Sequence, residues 1–413
     1  MATHLTQELK ETLTLILAGG EGGRLKPLTQ VRAKPAVPFG GAYRIIDFTL
    51  SNCIHSGLRR IYVLTQYQAL SLDEHVRFAW NFLPRRLEQF IAVRPPHHRH
   101  SAKWYRGTAD AIAHNLETLY EERPRNVLIL SGDHIYKMDY GTMLRQHAST
   151  GAALTIGAVR VPTDEAHHFG ILVVDSDNRI IDFQEKPKEN PAQIPGQPGW
   201  CLASMGIYVF EREELIRRLR DDVDDDGSTH DFGKDIIPRM IQDVPLYAHP
   251  FRDESGDEPY WRDVGTIESY YEANMDLCNV EPQFNLYDMN WPTYSLWHND
   301  PPAKTVFAGG DGKRAEVVDS LLCPGVIVSG AEVRNSLLSN RVYVGDHALL
   351  DGVIALSGAR IGKGARLRRT ILEKWIEVPD EERIGFDPDA DRERGFTVTP
   401  EGITVVPHGY RFA

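Results

Sequence analysis

Glycines and cations are concentrated directly after the first apolar segment of the chain. Residues 12–18 alternate Leu, Thr and Ile, which predicts a strand, and the run GGEGG follows at residues 19–23. Glycine leaves room for backbone amides to close on a ligand, and Arg24 and Lys26 add positive charge suited to phosphate oxygens. The run has neither the Gly-Lys-Ser/Thr of a Walker A loop nor the spacing of a dinucleotide fingerprint. We therefore predict a phosphate- or nucleotide-binding turn, with an ordinary strand-to-helix turn as the alternative.

Two acidic residues stand where a metal ion would accompany such a phosphate group. Asp133 follows the apolar segment 126–130, and Asp263 precedes a predicted helix. Carboxylate and phosphate oxygens are the ligands that Mg²⁺ prefers, so these two acids together would form a magnesium site. Each residue could instead cap a turn or a helix. Their positions in the sequence do not decide whether they meet.

Further cations fall close to these segments. Arg32 and Lys34 lie in VRAKPAVPFGG, shortly after the glycine run. Lys186 follows a predicted hairpin, and Pro187 predicts an extended backbone for it. A lysine in that position could bind a sugar phosphate, although the ammonium group of a surface lysine usually contacts only water. No Ser/His/Asp constellation or nucleophile elbow accompanies these groups.

The elements that must position these residues alternate between strands and helices over the first two-thirds of the chain. This order predicts an α/β fold with a mixed, mostly parallel sheet, in which ligands bind beyond the carboxyl ends of the strands. Both the glycine run and Asp133 fall at such ends. Helices are predicted over residues 47–57, 71–80 (from a capping-box pattern), 107–123, 211–222, 233–243 and 266–278, and residues 84–103 are predicted to be rich in loops.

A different pattern begins near Tyr287, where several prolines mark a linker and helical periodicity ends. Aliphatic residues then recur every six positions, with one shorter step: Leu338, Val344, Leu350, Leu356, Ile361 and Leu367. This spacing predicts a parallel β-helix, because each short side stacks its aliphatic residue on the next coil. We therefore divide the chain into a domain of residues 1–290 and a linker with a hexapeptide-repeat domain at residues 291–413. Such a column exposes flat sides and ends, which favours contacts between subunits.

Composition narrows the class of partner. The 58 acidic residues outnumber the 46 basic ones, giving a net charge of −12. A field of this sign argues against a nucleic-acid or anionic-membrane surface, so a polyanionic ligand would need a local basic pocket. The four cysteines form no C-x-x-C pair, which is typical of buried thiols in a reducing cytoplasm. With neither a signal peptide nor a spanning apolar segment, we expect a soluble cytoplasmic protein.

Eight ordered segments are similar to one known family: LILAGGEGGRLKPLT, RAKPAVPFGGAYRIIDFTLSN, WYRGTADA, SGDHIYKMDY, EKP, ASMGIYVF, DFGKDIIP and EPYWRDVGT. Together they resemble the bacterial ADP-glucose pyrophosphorylases (glucose-1-phosphate adenylyltransferases), and the similarity extends over nearly the whole chain. WYRGTADA, DFGKDIIP and PYWRDVGT are typical of this branch, whereas shorter versions of several others occur in all sugar-phosphate nucleotidyltransferases. The resemblance implies a Rossmann-like nucleotidyltransferase domain followed by a left-handed parallel β-helix, in a homotetramer.

The resemblance also implies an activity and a set of site residues. The family transfers AMP from ATP to α-D-glucose 1-phosphate with Mg²⁺, giving ADP-glucose and pyrophosphate in the committed step of glycogen biosynthesis, under allosteric control. The implied catalytic residues are Arg24, Lys34, Asp133 and Asp263, of which the two acids are the Mg²⁺ ligands. The implied nucleotide-binding residues are Leu17, Ala18, Gly19, Gly20, Arg24, Tyr105, Gly107 and Thr108. The implied substrate-binding residues are Tyr105, Gly170, Glu185, Lys186 and Ser204.

The sequence departs from the family in residues linked to regulation. Many enteric-type members carry a lysine where this chain has Val31, and Ala42 replaces another frequent lysine. These departures count against fructose 1,6-bisphosphate as the activator. Arg32 and Arg44 remain, so the resemblance still implies a site for small anionic effectors.

The chemistry implied by the resemblance agrees with the residues found. A phosphate oxygen of glucose 1-phosphate is already anionic, so its attack on the α-phosphorus of ATP needs no general base, only positioning and charge neutralisation. Three alternatives remain: transfer from another nucleoside triphosphate, a regulatory paralogue without turnover, and a β-helical acyltransferase. Arg24, Lys34 and Asp133 count against the second. The third would need a histidine on a loop between coils, whereas His347 lies within the six-residue repeat.

Overall fold

The computed structural model describes residues 7–95, 105–252 and 259–412. The N-terminal domain contains thirteen strands: β1 (Thr12–Ala18), β2 (Pro38–Phe39), β3 (Tyr43–Arg44), β4 (Arg60–Thr65), β5 (Phe90–Arg94), β6 (Asn126–Ser131), β7 (His134–Tyr136), β8 (Leu154–Pro162), β9 (Gly170–Val174), β10 (Ile180–Glu185), β11 (Trp200–Glu211), β12 (Leu246–Pro250) and β13 (Trp261–Asp263). Its α-helices are α1 (Ile45–His55), α2 (Leu70–Ala79), α3 (Thr108–Ala113), α4 (Leu116–Glu122), α5 (Tyr140–Thr150), α6 (Arg212–Val223), α7 (Ile237–Ile241) and α8 (Ile267–Asp276).

Nine of these strands form one mixed sheet, as the alternating pattern predicts. Along its main path the order is β10-β9-β11-β6-β1-β4-β5, with β8 paired to β11 and β12 paired to β8. Strands β6, β1, β4 and β5 run parallel, and β11 joins them antiparallel through β6. Apolar side chains from β1 are fully buried on both faces of the sheet, for example Leu15 and Ile16. Burial on both faces is characteristic of a parallel strand covered by helices.

Several predicted boundaries differ from the structure. The prediction of a capping box that begins at Ser71 is wrong. Helix α2 begins one residue earlier, and its N-cap, Ala69, makes no side-chain hydrogen bond. The segment predicted to be rich in loops contains the edge strand β5, and its residues 96–104 lie outside the described residues. The helix predicted over 107–123 is divided into α3 and α4, where the Asn115 amide donates to the Ala111 carbonyl. Residues 232–236 form a wide π-type turn before α7.

A parallel β-helix occupies the C-terminal part. Its strands are β14 (Lys304–Val306), β15 (Glu316–Val318), β16 (Leu321–Leu322), β17 (Ile327–Ser329), β18 (Glu332–Arg334), β19 (Leu337–Leu338), β20 (Tyr343–Val344), β21 (Leu349–Ala355), β22 (Arg360–Ile361), β23 (Arg366–Leu372), β24 (Glu377–Val378), β25 (Arg383–Ile384), β26 (Thr397–Val398) and β27 (Thr404–Val406), with helix α9 (Pro388–Glu393) inserted. The strands of successive coils pair in parallel, as between β18, β21 and β23. All six residues of the predicted repeat are buried. The β-helix prediction is therefore confirmed.

The two domains share one apolar core. Residues 279–303 connect them without helix or strand. Tyr270 and Tyr271 of α8 belong to the same buried cluster as Ile354 and Ile371 of the β-helix. The Tyr271 hydroxyl also donates to the carbonyl oxygen of Gly352 at 2.7 Å. The β-helix is thus packed firmly against the domain that carries the predicted site.

All four cysteines are buried free thiols. Among the described residues, no helix combines the length and the apolar composition needed to cross a lipid bilayer.

Candidate functional site

The glycine run forms an open turn at the carboxyl end of β1. Gly22 has a φ of 62°, in the left-handed region that favours glycine, and the Thr29 hydroxyl donates to its carbonyl oxygen at 2.8 Å. A Cβ on Gly19 would lie 2.9 Å from Cβ of Gln66, whereas a Cβ on Gly20 or Gly23 would meet no atom within 4 Å. Leu17 and Ala18 end the strand just before this turn. The space above the turn is therefore open to a ligand.

The two predicted metal-binding acids lie side by side because two short strands pair. Strand β7 begins just after Asp133, and strand β13 ends at Asp263. They pair antiparallel, with Asp263 opposite His134. Neither acid caps a helix, since the N-cap of α8 is Thr266 and a strand follows Asp133. The structure thus brings together two residues whose separation in sequence left the question open.

Lys34 lies between the two carboxylates. Its ammonium donates to Asp133 Oδ2 at 2.9 Å and to Asp263 Oδ1 at 2.7 Å, while its side chain is only 8% exposed. The Ser131 hydroxyl donates a short hydrogen bond to the other oxygen of Asp133. A lysine, two carboxylates and a serine at the end of β6 therefore form one compact charged cluster.

The pKa values in this cluster reflect the mutual attraction of its charges. Burial alone would raise the pKa of Asp133, but Lys34, His134 and the Ser131 hydrogen bond together hold it well below its ordinary value. Burial would likewise lower the pKa of Lys34, and the two carboxylates raise it above the ordinary value instead. Lys34 and Asp133 therefore stabilise each other's charged forms.

The donor set is compatible with a divalent cation. Asp133, His134 and Asp263 each offer a ligand atom, and these atoms lie within 4.8 Å of one another. Two of the three are carboxylates, which suit Mg²⁺, and the open turn leaves room for phosphate oxygens and water to complete its coordination. Burial lowers the pKa of His134, although the charges of Asp133 and Asp263 oppose this shift. The residues present fit a magnesium ion.

Arg24 reaches the same cluster from the glycine turn. A Cβ on Gly265 would lie 3.0 Å from Asp263 Oδ1 and 3.3 Å from Arg24 Nη2, so both side chains approach one backbone position. The Arg24 side chain is otherwise exposed to solvent. A guanidinium in this position is available to an anionic ligand.

A second group of predicted residues surrounds the start of α3. The Thr108 hydroxyl donates to Asp231 Oδ2 at 3.1 Å and accepts from the backbone amide of Phe232 at 3.1 Å. The carbonyl oxygen of His230 accepts from the backbone amide of Ala109 at 2.9 Å. Tyr105 precedes these residues and lies edge-on to His114. The structure therefore joins the WYRGTADA and DFGKDIIP segments.

Two of the sugar-side residues predicted from the resemblance, Gly170 and Lys186, lie next to a third, Glu185. A Cβ on Gly170 would be 3.1 Å from Glu185 Oε2, and one on Gly233 would be 2.8 Å from it. Lys186 Nζ lies 3.7 Å from the carboxylate of Glu185. Burial raises the pKa of Glu185, with Lys186 opposing the shift.

The prediction of an extended backbone at Lys186 is wrong. Its φ is 47°, in the left-handed region, because its amide donates to the carbonyl oxygen of Phe169 at 3.0 Å and turns the chain. The proline that follows does not prevent this conformation.

The carboxylate cluster and the group around Glu185 lie along one edge of the sheet. A Cβ on Gly206, next to Ser204 on β11, would be 3.9 Å from Cβ of Ser131. On the other side, the ring of Trp261, two residues before Asp263, packs 5.5 Å from that of Phe169. The carboxylate cluster and the Glu185 group are therefore neighbours.

The two predicted effector arginines have hydrogen-bond partners outside both of these groups. Arg32 is buried and forms a bidentate ion pair with Glu373 of the β-helix. Arg44 donates to the carbonyl oxygen and the hydroxyl of Ser71. Lys374 lies near both, since each of these arginines lowers its pKa.

Several residues of the site were not found from the sequence. Ser131, His134 and Asp231 contact predicted residues, and each lies inside a segment used for the resemblance. Their positions next to predicted residues would have been a usable signal. Glu373 had none, because its partner lies 341 positions away.

Gly107→Ala tests the junction at α3. A Cβ at this position would lie 2.2 Å from the carbonyl oxygen of His230, so the backbone must shift. We expect about a ten- to hundredfold loss in kcat/KM for the nucleotidyl transfer that the resemblance implies, since displacements near 1 Å can have this effect. Gly309→Ala is the control, because its Cβ would meet only Asp346 Oδ2, at 3.8 Å. Equal activity of the two variants would contradict the prediction.

Comparison with known proteins identifies the class. The family model described as "Nucleotidyl transferase" matches residues 13–280, and the one described as "GlmU-like, C-terminal hexapeptide" matches residues 301–406. The fold and the site thus define a nucleotidyltransferase with a hexapeptide-repeat domain.

Similar proteins narrow the class further. "Glucose-1-phosphate adenylyltransferase" of Rhodopirellula baltica is 49% identical, the alignment covering 98% of this chain and 92% of the relative. The protein of the same name from Thiobacillus denitrificans is 48% identical with the same coverage, 98% and 92%. "Glucose-1-phosphate adenylyltransferase 2" of Vibrio cholerae is 46% identical over 98% of this chain and all of the relative (100%). The chain belongs to the glucose-1-phosphate adenylyltransferase family.

Proposed function

We propose that this enzyme transfers AMP from ATP to α-D-glucose 1-phosphate with Mg²⁺, forming ADP-glucose and pyrophosphate. The observation that carries the proposal is the cluster of Lys34, Asp133 and Asp263 beside the open glycine turn. Phosphoryl transfer needs charge neutralisation and alignment rather than a nucleophile supplied by the protein. The cluster and Arg24 offer those groups and no activated nucleophile.

Each half of the pocket has a role in the proposal. Amides of the glycine turn and Arg24 would hold the ATP phosphates, and the residues at the start of α3 would hold the nucleoside. Lys186 would hold the phosphate of the sugar, with Glu185 accepting hydrogen bonds from sugar hydroxyls. The phosphate oxygen of glucose 1-phosphate then attacks the α-phosphorus, and pyrophosphate leaves from the opposite side.

Asp133 and Asp263 would hold Mg²⁺ in this proposal. When bound, Mg²⁺ neutralises phosphate charge and polarises the phosphorus–oxygen bonds. Lys34, now between the two carboxylates, would turn towards the transferring phosphoryl group and stabilise the charge that develops there. Lys34 would lose little by moving, because Asp133 and Asp263 would keep a cationic partner.

The experiment supplies glucose 1-phosphate and Mg²⁺ with each nucleoside triphosphate in turn and measures pyrophosphate. We expect release with ATP at a rate well above that with UTP, CTP, dTTP or GTP. Faster release with another triphosphate would replace ATP in the proposal. Absence of release with all of them would favour the regulatory paralogue. Omitting Mg²⁺ and adding a chelator should abolish release.

We further propose that small anionic metabolites regulate the enzyme at Arg44 and Lys374. Burial, together with repulsion from Arg44 and Arg32, lowers the pKa of Lys374 to about 8, although Glu373 opposes this shift. Lys374 also lines a surface cavity of about 1010 Å³ that includes His408 and Arg411. A phosphate group entering there would relieve the repulsion among the cations.

Binding of an effector at this position should weaken as the pH rises through 8. Lys374 is protonated below its pKa and uncharged above it, so it attracts an anion only on the acid side. We expect the apparent affinity for the best activator among fructose 6-phosphate, fructose 1,6-bisphosphate, pyruvate, AMP and phosphate to fall up to roughly tenfold between about pH 7 and pH 9. Lys374→Met should weaken binding at the lower pH and remove this dependence. An unchanged pH profile in the variant would contradict the assignment.

Location, assembly and pathway complete the proposal. Buried free thiols and the lack of membrane-spanning helices in the described residues support a cytoplasmic enzyme. The β-helix offers flat faces for a homotetramer. ADP-glucose made here would supply glucosyl units for glycogen synthesis.

A further inference from the structure

One buried ion pair joins the two domains. Arg32 Nη2 donates to Glu373 Oε2 at 3.0 Å, and Nη1 donates to the other carboxylate oxygen. The side chains are 6% and 0% exposed. Within the described part of the chain, no other Lys or Arg to Asp or Glu ion pair connects the N-terminal domain with the β-helix.

The arginine of this pair belongs to the segment that carries the lysine of the site. Arg32 Nη1 also donates to the carbonyl oxygen of Leu28 at 3.2 Å, and Lys34 follows two residues later at the start of a short 3₁₀ turn. The Lys34 ammonium in turn contacts both carboxylates of the cluster. The guanidinium therefore fixes the backbone from which Lys34 extends.

The glutamate is held equally firmly. Glu373 directly follows the long strand β23, and its Oε2 accepts from the backbone amide of Lys374 at 2.9 Å. Its carboxylate therefore presents both oxygens to Arg32 in one orientation, which a planar guanidinium matches.

Stability alone does not account well for such a pair. Desolvation of two buried charges largely offsets their attraction, so apolar residues of similar volume would often serve as well. A buried ion pair does fix orientation, because only one arrangement satisfies both groups. The geometry here fixes the segment 28–34 against the β-helix.

We propose that Glu373 is a positioning residue for Lys34 and acts through Arg32. The β-helix thereby sets the position of a side chain in the nucleotidyl-transfer site, more than 300 residues away in sequence. This inference rests on the proposed function, because Lys34 is assigned there to the transferring phosphoryl group.

Glu373→Gln provides the first test. The amide has the same shape but cannot accept two charge-assisted hydrogen bonds, so Arg32 loses its fixed orientation. We expect kcat for pyrophosphate release to fall about tenfold or more, because a small misplacement of Lys34 weakens transition-state contacts. KM for glucose 1-phosphate should change little, since none of the residues that the Glu373 carboxylate is seen to contact, Arg32, Lys374 and His408, is assigned to the sugar.

The matched control is Asp391→Asn. Asp391 is also a buried acid, 2% exposed in its pair with Arg394, and that pair lies wholly within the β-helix domain. Both substitutions should lower the midpoint of thermal unfolding, but only Glu373→Gln should lower kcat. An equal loss of kcat in the two variants would mean that general destabilisation is the cause, and would overturn the proposal.

A cycle with Lys34→Gln separates positioning from a structural effect. If Glu373 acts through Lys34, adding Glu373→Gln to the Lys34→Gln variant should cause no further loss of kcat. An additive loss, or a folded Glu373→Gln variant with kcat within twofold of the wild type, would overturn the proposal. Arg32→Lys keeps the buried charge without the fork, and it should lose kcat similarly even if Glu373→Gln does not fold.

An assay of the wild-type chain under the same conditions separates failure of the proposed function from failure of the positioning role. If the wild type released no pyrophosphate from ATP and glucose 1-phosphate, the proposed function would fail. If the wild type is active and Glu373→Gln has the same kcat as its control Asp391→Asn, only the positioning role fails.

Discussion

Asp133→Asn should reduce pyrophosphate release from ATP and glucose 1-phosphate by about 10³-fold, the loss typical of removing one electrostatic contact from a transition state. Asparagine keeps the shape of the side chain but removes a charge that would hold Mg²⁺. Among the described residues, it also leaves the buried Lys34 with Asp263 as its only anionic partner. The measurement is steady-state kcat at saturating Mg²⁺, together with thermal unfolding to establish that the variant is folded.

Asp288→Asn is the matched control for this variant. Asp288 forms the same kind of pair, with Lys137 at 2.9 Å, and its side chain is 31% exposed, against 28% for Asp133. It lies outside the site, so its removal should leave kcat within about twofold of the wild type. Near-normal activity of Asp133→Asn would exclude this carboxylate as an essential ligand.

Lys34→Gln should lower kcat by roughly 10²- to 10³-fold, with a smaller effect on KM for ATP. The ammonium is assigned to charge that develops in the transition state, so its loss should affect turnover more than binding. Without it, Asp133 and Asp263 also repel each other, and we expect the variant to need less Mg²⁺ for thermal stabilisation. The measurements are kcat, KM and the unfolding midpoint as a function of Mg²⁺ concentration.

Lys137→Gln is the control for the Lys34 variant. This substitution also removes a lysine that pairs with a carboxylate, that of Asp288, but it removes no proposed substrate contact. A loss that appeared only in KM for ATP, with kcat unchanged, would contradict the assignment of Lys34 to the transition state. Lys34 would then be a ground-state phosphate contact.

Local patterns in the sequence were sufficient to predict the first strand of the sheet, the turn that follows it and the β-helix. The alternation of residues 12–18 predicted the strand that became the centre of the sheet, and the glycine run predicted its open turn. The six-residue repeat predicted the β-helix because all six of its residues are buried, five of them in the apolar core of the β-helix and Leu356 in the core shared with the N-terminal domain. These features depend on neighbours along the chain, which a sequence displays directly.

Other features were missed because the decisive partner is distant. Strand β5 is short and lies at the sheet edge, so its five residues carry little periodicity. The outward residues Ile354 and Ile371 are buried only because α8 covers that face of the β-helix. The six-residue repeat includes neither of these two residues, so it could not reveal this contact.

The sequence by itself determined the fold class, the open glycine turn at the end of β1 and the types of charged residue needed for nucleotidyl transfer. Only the tertiary structure decided which of those charges meet. Pairing of β7 with β13 brings Asp133 to Asp263, and contact with the β-helix takes Arg32 to Glu373. The physical reason is that electrostatic interactions depend on distance and burial, and neither is encoded in the spacing of residues along the chain.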